Sequence, residues 1–280
     1  MSDLLIHSMS EFSALILDCL QKAGAREIVE VGAEFGGMSQ HLATHAAAAG
    51  GRLTSIDPAP KQQFLDWVAA SPQVRHLASP SLDAMPTLSG VDAWVIDGDH
   101  NYHTVSNELA IAAEQSVRDD KPLLLFLHDV GWPCGRRDFY YAPERIPAAA
   151  RHPHSFDDGV VPGNPGLVPG GGFRGAGQFA FAEREGGPAN GVLTAVEDFV
   201  DDMRDEGRQI GFAFVPAVFG LGVVFASDQP WSADVAALLH PFHDNPLLAR
   251  MEENRLRNYV TVIGWEDLAA RRAGASRIAA

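Results

Sequence analysis

A chain of 280 residues, 46% apolar and 20% charged, has the composition of a globular protein with room for one large domain and an insertion. Its net charge of −15 disfavours phosphate-rich partners, which argues against nucleic acid. Two cysteines (Cys19, Cys134), no apolar run near the ~20 residues of a membrane span, and a start (MSDLLIHSMSEF) without a basic region predict a reducing, cytoplasmic setting away from membranes.

Ser10–Ala23 places Phe12, Leu15, Ile16, Cys19 and Leu20 at helical spacing, with Ser10 as N-cap and Gly24 as C-cap. Glu27–Val31 is a β-branched run that ends in Gly32. Gly36 and Gly37 then open a helix predicted to run to about Ala49. Glycines suit such a turn because a Cβ would keep the backbone from closing it or approaching a ligand. The helix N-terminus behind it presents free N–H groups and a positive dipole end. This strand–turn–helix is a cradle for a nucleotide or cofactor.

Strands follow at Arg52–Ile56, Val74–Ala78, Asp92–Ile96 and Pro122–Leu127, with helices at Gln62–Ala70 and His103–Ser116. This alternation predicts an α/β, doubly wound, Rossmann-like, mainly parallel sheet. Residues 132–190 break the rhythm with a long Gly/Pro-rich insertion, read as a lid or substrate segment. A helix at Val192–Glu206 and an antiparallel pair, Ile210–Val215 and Gly220–Phe225, close the sheet. Residues 232–280 form a helical extension, with helices at Ser232–Leu239 and Asn245–Tyr259, all within one domain spanning 1–280.

Two constellations carry chemistry. Asp57 ends the second strand 20 positions after Gly37 (57 − 37), where an acid can accept hydrogen bonds from a ribose diol. The glycine pattern is Glu30-x-Gly32-x-x-x-Gly36, not the Gly-x-Gly-x-x-Gly that a nicotinamide enzyme uses. Asp97 and Asp129 end the fourth and fifth strands, with Asp99, His100 and His128 beside them, so carboxylates and imidazoles can meet in one crevice. Two carboxylates suit magnesium, and an imidazole ligand shifts the preference toward manganese, iron or zinc. Asp97 or Asp99 could instead cap the following helix. His128 and Asp129, adjacent on an extended backbone, point to opposite faces, so both reach one ion only if the chain is already turning there.

Glu30-x-Gly32-x-x-x-Gly36, Asp57 and the acid after the fourth strand resemble class I S-adenosylmethionine-dependent methyltransferases. That resemblance implies a cofactor site at Glu30, Gly32, Gly36, Asp57 and Asp97, with Ser81 and Asp83 near adenine. The pattern Asp97-x-x-His100 followed by His128-Asp129 is similar to metal-dependent sugar and natural-product O-methyltransferases of the macrocin and mycinamicin type and to the cephalosporin-hydroxylase-like group. It implies Asp97, His128 and Asp129 as metal ligands for magnesium or manganese, with His100 as catalytic base; those families carry an acid where this chain has His128. Tyr102, Arg136, Arg137, Tyr140 and Tyr141 are candidate contacts for a small hydroxylated acceptor, because Arg forks suit anionic groups. A homo-oligomer is expected. The alternatives are a metal-dependent hydrolase built on Asp97, Asp99, His128 and Asp129, and a non-catalytic nucleoside-binding protein.

Overall fold

The computed structural model describes residues 5–278. A 3-10 turn (Met9–Phe12) leads into α1 (Ser13–Ala23), then β1 (Glu27–Val31), α2 (Gly37–Ala48), β2 (Arg52–Ile56), α3 (Gln62–Ala69), β3 (Val74–Leu77), the single-turn α4 (Ser81–Ala84) and β4 (Ala93–Ile96). After them come α5 (Tyr102–Arg118), β5 (Leu124–His128), β6 (Phe139–Tyr140), β7 (His154–Ser155), β8 (Ala180–Ala182), α6 (Val192–Asp205), β9 (Ile210–Val215), β10 (Leu221–Ala226), α7 (Ser232–Leu239) and α8 (Pro246–Ile278). The main sheet has the order β3-β2-β1-β4-β5-β10-β9, parallel except for β10, which runs antiparallel to both neighbours. This is the Rossmann-like, mainly parallel sheet with an antiparallel strand near one edge.

Side chains alternate across the central strands and build two cores. Val29, Val31, Trp94, Ile96, Leu125 and Leu127 face α5 and α6, where Val105, Leu109, Val196 and Val200 meet them. Ile28, Val95, Leu124 and Phe126 face α1 and α2, against Ile16, Leu20 and Leu42. Both faces are covered, so β4 and β5 read as continuous apolar runs rather than alternating ones. Each fully buried Leu or Phe contributes about 1.5–3 kcal/mol over its exposed state. The sheet is therefore rigid where its strand ends carry polar residues.

Local capping differs from the sequence reading in two places. Ser8, not Ser10, caps the first turn, its side chain accepting from the Ser10 N–H. The α5 helix is capped by Asn101, whose Oδ1 accepts the Thr104 N–H at 2.9 Å, so neither Asp97 nor Asp99 is spent on that role. Gly24 ends α1 in the left-handed region (φ 65°), as a C-cap glycine should. The last helix runs beyond its expected end at Tyr259 to Ile278, because no proline interrupts it. Gly264 is accommodated within it, with nothing near the place a Cβ would take.

The 132–190 segment is folded. A three-stranded sheet, β6-β8-β7, forms within it, and Phe139, Phe173, Phe179 and Phe181 pack with ring centroids 4.5–5.9 Å apart. Aromatic pairs at such distances add about 0.5–1.5 kcal/mol each beyond burial. Asp138 ties the segment to the starts of α5 and α6: its Oδ1 accepts the N–H groups of Tyr102 and Gly191, and its Oδ2 accepts the Tyr140 hydroxyl. No helix among the described residues is long and apolar enough to cross a membrane.

Candidate active site

The glycine turn is built by close approach. Gly32 (φ 86°) abuts the Asp97–Gly98 backbone, and a Cβ there would collide with the Asp97 carbonyl. Gly36 (φ 83°) packs under Phe64. Glu30 is buried, and its Oε2 accepts the hydroxyls of Ser39 on α2 and Ser55 on β2, both at 2.6 Å. Burial pushes its carboxyl up to about 7, against the pull of those two hydroxyls. Glu30 thus braces the turn from beneath. Asp57 lies on the turn itself: Oδ2 accepts the N–H groups of Ala33 and Glu34 at 2.9 and 3.0 Å, and Oδ1 that of Ala59 at 2.8 Å. A carboxylate offers about four acceptor positions, so a ribose diol would have to share this one with the backbone. Ser81 and Asp83 sit on the single turn α4, not in a loop.

Across the turn, β4 and β5 deliver the second constellation. His128 is the last residue of β5, and Asp129 takes a left-handed conformation (φ 59°). That turn brings both side chains to one side, the condition under which neighbours on a strand end can share a site. His128 Nδ1 lies 3.1 Å from Asp97 Oδ1 and 3.2 Å from Asp129 Oδ2. His100 Nε2 lies 3.4 Å from Asp97 Oδ1 and 3.2 Å from Asp129 Oδ2. Asp97, His100 and Asp129 offer ligand atoms that all lie within 4.8 Å of one another.

The electrostatics follow from this crowding. Burial disfavours the Asp97 carboxylate, yet the His128 and His100 imidazoles hold its carboxyl well below the usual range. Burial also disfavours a His100 cation, but Asp129 and Asp97 push the imidazole up to about 9. His128 is raised well above its ordinary value by the same two acids, against burial. A site that raises its bases and lowers its acid is poised to hold positive charge.

Residues 29–130 match the family model of a methyltransferase domain. Over that stretch the chain is similar to methyltransferases. Similar solved structures include an O-methyltransferase from Bacillus cereus in complex with SAH, 15% identical with 80% of this chain and 84% of that one covered at a TM-score of 0.46. The SAH-bound Podospora anserina methyltransferase PaMTH1 is 12% identical, with 77% and 78% covered and a TM-score of 0.46. The O-methyltransferase TomG from Streptomyces achromogenes, in complex with SAM, is 15% identical, with 79% and 82% covered and a TM-score of 0.43. No curated protein matches.

Several residues read as acceptor contacts have other partners in the structure. Arg137 is buried (1% exposed) and donates to the carbonyls of Ala182, Pro165 and Gly166, so its fork pins the insertion's loops. Tyr140 is buried and donates to Asp138. Arg136 pairs with Glu197 on α6 at 2.6 Å, and the Tyr102 hydroxyl donates to Asp198 on the same helix. All four face inward or sideways because their polar groups found partners that spacing does not reveal. Tyr141 differs: it is exposed, with its ring centroid 6.1 Å from that of His100. Asp99 is held by the Thr104 hydroxyl and raised by burial. It does not join the Asp97–His100–Asp129 group, so the four-residue hydrolase set does not form. Sequence reasoning missed Phe12, edge-on to His128 at 6.0 Å, and Ser8 and Ser10, whose hydroxyls lie beside Gly37. It also missed Val218, whose carbonyl accepts from His128 Nε2 at 2.9 Å. No local signal marks them, since each reaches the site from a distant part of the chain.

Proposed function

We propose that the protein is an S-adenosylmethionine-dependent methyltransferase that acts on a hydroxyl oxygen of a small molecule, a sugar or natural-product scaffold, with a divalent ion held by Asp97 and Asp129. The observation that carries this reading is the meeting of two carboxylates and two imidazoles beside the glycine turn, at the strand ends where a methyl donor and an acceptor can lie side by side. The acceptor oxygen takes the methyl from a sulfonium, the thioether leaves, and the oxygen gives up its proton. A bound ion would lower the pKa of an acceptor hydroxyl and steady the developing alkoxide.

The residues fit such an ion. His100 Nε2 is buried and has no partner of good geometry, although two carboxylate oxygens lie near it. The chain's own contribution is position: strand ends fix the two acids, the turn fixes the donor, and Tyr141 with Phe139 walls the mouth at a ring distance of 4.6 Å. We further propose that the 132–190 segment covers the acceptor and keeps water out during transfer.

Incubation with methyl-labelled S-adenosylmethionine and a panel of sugars, phenols and hydroxylated polyketides tests the reading. Label should appear in an ether, and its appearance should stop with chelator and return with a divalent ion. Label on nitrogen or carbon, or full transfer in excess chelator, would overturn the oxygen or the ion respectively.

A further inference from the structure

We infer that two copies of this chain associate through the outward face of α8, the two helices lying antiparallel across a two-fold axis near Leu256.

One side of α8 is spent on its own chain. Leu256 and Ile263 are buried, the Tyr259 ring stands 6.2 Å from that of Phe173, and Asp267 pairs with Arg174 of the insertion at 2.6 Å. The opposite side of a helix that borders water is ordinarily polar. Here Trp265 is 67% exposed, Leu247 66%, Met251 60% and Leu268 47%. Asn254, Asn258 and Thr261, all exposed, fill the places between them. From Leu247 to Leu268 these positions step by four and three in alternation, which is the seam of a coiled coil and not a scatter of surface side chains.

The order of residues along the seam fits a second copy of itself. In an antiparallel pair, residues equally far before and after the axis lie opposite one another, and each contact occurs twice. Leu247 lies nine positions before Leu256 and Trp265 nine after it (256 − 247, 265 − 256). Met251 and Thr261 lie five away (256 − 251, 261 − 256), and Asn254 and Asn258 two away (256 − 254, 258 − 256). Large apolar side chains therefore meet at both ends of the pair and amides meet in the middle. Within one helix Asn258 donates to Asn254 Oδ1 at 3.0 Å. The other half of each amide then bonds across the pair and sets its register, as a polar residue in such a seam does.

Charge agrees with this pairing. On one flank Glu253 comes beside Arg257 of the second copy, and the same two residues already pair at 2.9 Å within each helix. A lipid surface would bury both asparagines without such partners. The strip from Leu247 to Leu268 is about 31 Å long and about 10 Å wide, which suits an interface at the small end of the specific range, below about 1,200 Å² in total. Dimer and monomer should accordingly exchange at micromolar concentration.

Sedimentation velocity on the full chain, from about 1 to 200 μM, tests the pairing. The mass should double across this range. Trp265→Glu should raise the midpoint by about 30-fold or more while its melting curve stays that of the parent. Glu253→Arg should weaken the dimer by about 2–10-fold, and adding Arg257→Glu should restore it. Met251→Cys mixed with Thr261→Cys should join through a short thiol crosslinker, the native Cys19 and Cys134 being buried. Either variant alone should not, because its two thiols would stand at least about 15 Å apart along the helices. Self-crosslinking of Met251→Cys would show a parallel pair and overturn the inference. A monomer at every concentration, or a dimer indifferent to Trp265→Glu, would overturn it as well. Binding of a monomeric chain to phosphatidylcholine or phosphatidylserine vesicles, lost in Trp265→Glu, would assign the stripe to a membrane instead.

Discussion

The Asp57 carboxylate accepts the Ala33 amide proton at 2.9 Å, joining the end of β2 to the glycine turn after β1. With the Glu34 and Ala59 amides also bound, this one side chain shapes the cradle. Asp57→Ala should therefore lower both thermal stability and S-adenosylhomocysteine affinity, the latter by about 1.5–3 kcal/mol, the range for a hydrogen bond to a charged group. Calorimetry and a melting curve check this. Lost stability with unchanged affinity would confine Asp57 to the turn.

Gly32→Ala should be more damaging. The new methyl would meet the Asp97 carbonyl in a backbone region (φ 86°) that only glycine enters freely. We expect loss of cofactor binding together with a reduced melting temperature, since the same contact spaces β1 from β4. Gly50→Ala, at a positive φ with nothing near its Cβ, serves as the control for backbone strain alone; equal effects would mean that the Asp97 contact contributes nothing.

Much of this arrangement is legible in the sequence. β-branched runs ending in glycine or aspartate mark β1, β2 and β4, and Asp97 and Asp129 can be placed because strand ends in a parallel sheet open on one side. The insertion is not legible, because its fold comes from Phe139, Phe173, Phe179 and Phe181 meeting across 42 positions (181 − 139) without periodicity. Nor can the sequence tell a surface arginine from Arg137, whose partners are carbonyls that any residue could supply. His100 and His128 are visible as candidates, but their approach to Asp97 and Asp129 depends on the turn at Asp129 and, for His128, on Val218, ninety positions away (218 − 128).

Glu108 sits on α5 with no exposure and no well-directed partner for either carboxyl oxygen. Burial pushes its carboxyl up to about 8, against the pull of the Ser81 hydroxyl. A folded-state value above the unfolded one means that the folded protein binds the proton more tightly, so stability is greatest below about 4.5 and falls as pH rises toward 8. Glu108→Gln, neutral at every pH, should flatten that part of the curve. Melting temperatures between about pH 5 and 8.5, compared in the two proteins, check it; parallel curves would mean that Glu108 does not titrate in this range.

Arg137→Met keeps the stem's bulk but removes the donors that hold three backbone carbonyls, one on β8 and two in the loop before it. Orphaning buried acceptors costs about 1–3 kcal/mol, and hydrogen exchange over residues 160–186 should quicken. In the parent protein, the same measurement with S-adenosylhomocysteine and an accepted substrate tests the cover: protection of 132–190 should rise when both are bound. Equal protection in every state would make the segment a fixed wall.

The His128 contact also has a history in the chain. Val218 and Phe219 both adopt left-handed backbone (φ 46° and 64°), and the Phe219 N–H donates to Glu252 on α8, itself held by Arg255 at 2.6 Å. The carbonyl that orients His128 therefore takes its place from α8. As the chain emerges during synthesis, β1 to β5 can pair and bury their cores first, while His128 waits for α8. A chain lacking α8 would therefore hold its sheet strands but leave the Val218 carbonyl unbraced, and with it the orientation of the His128 imidazole.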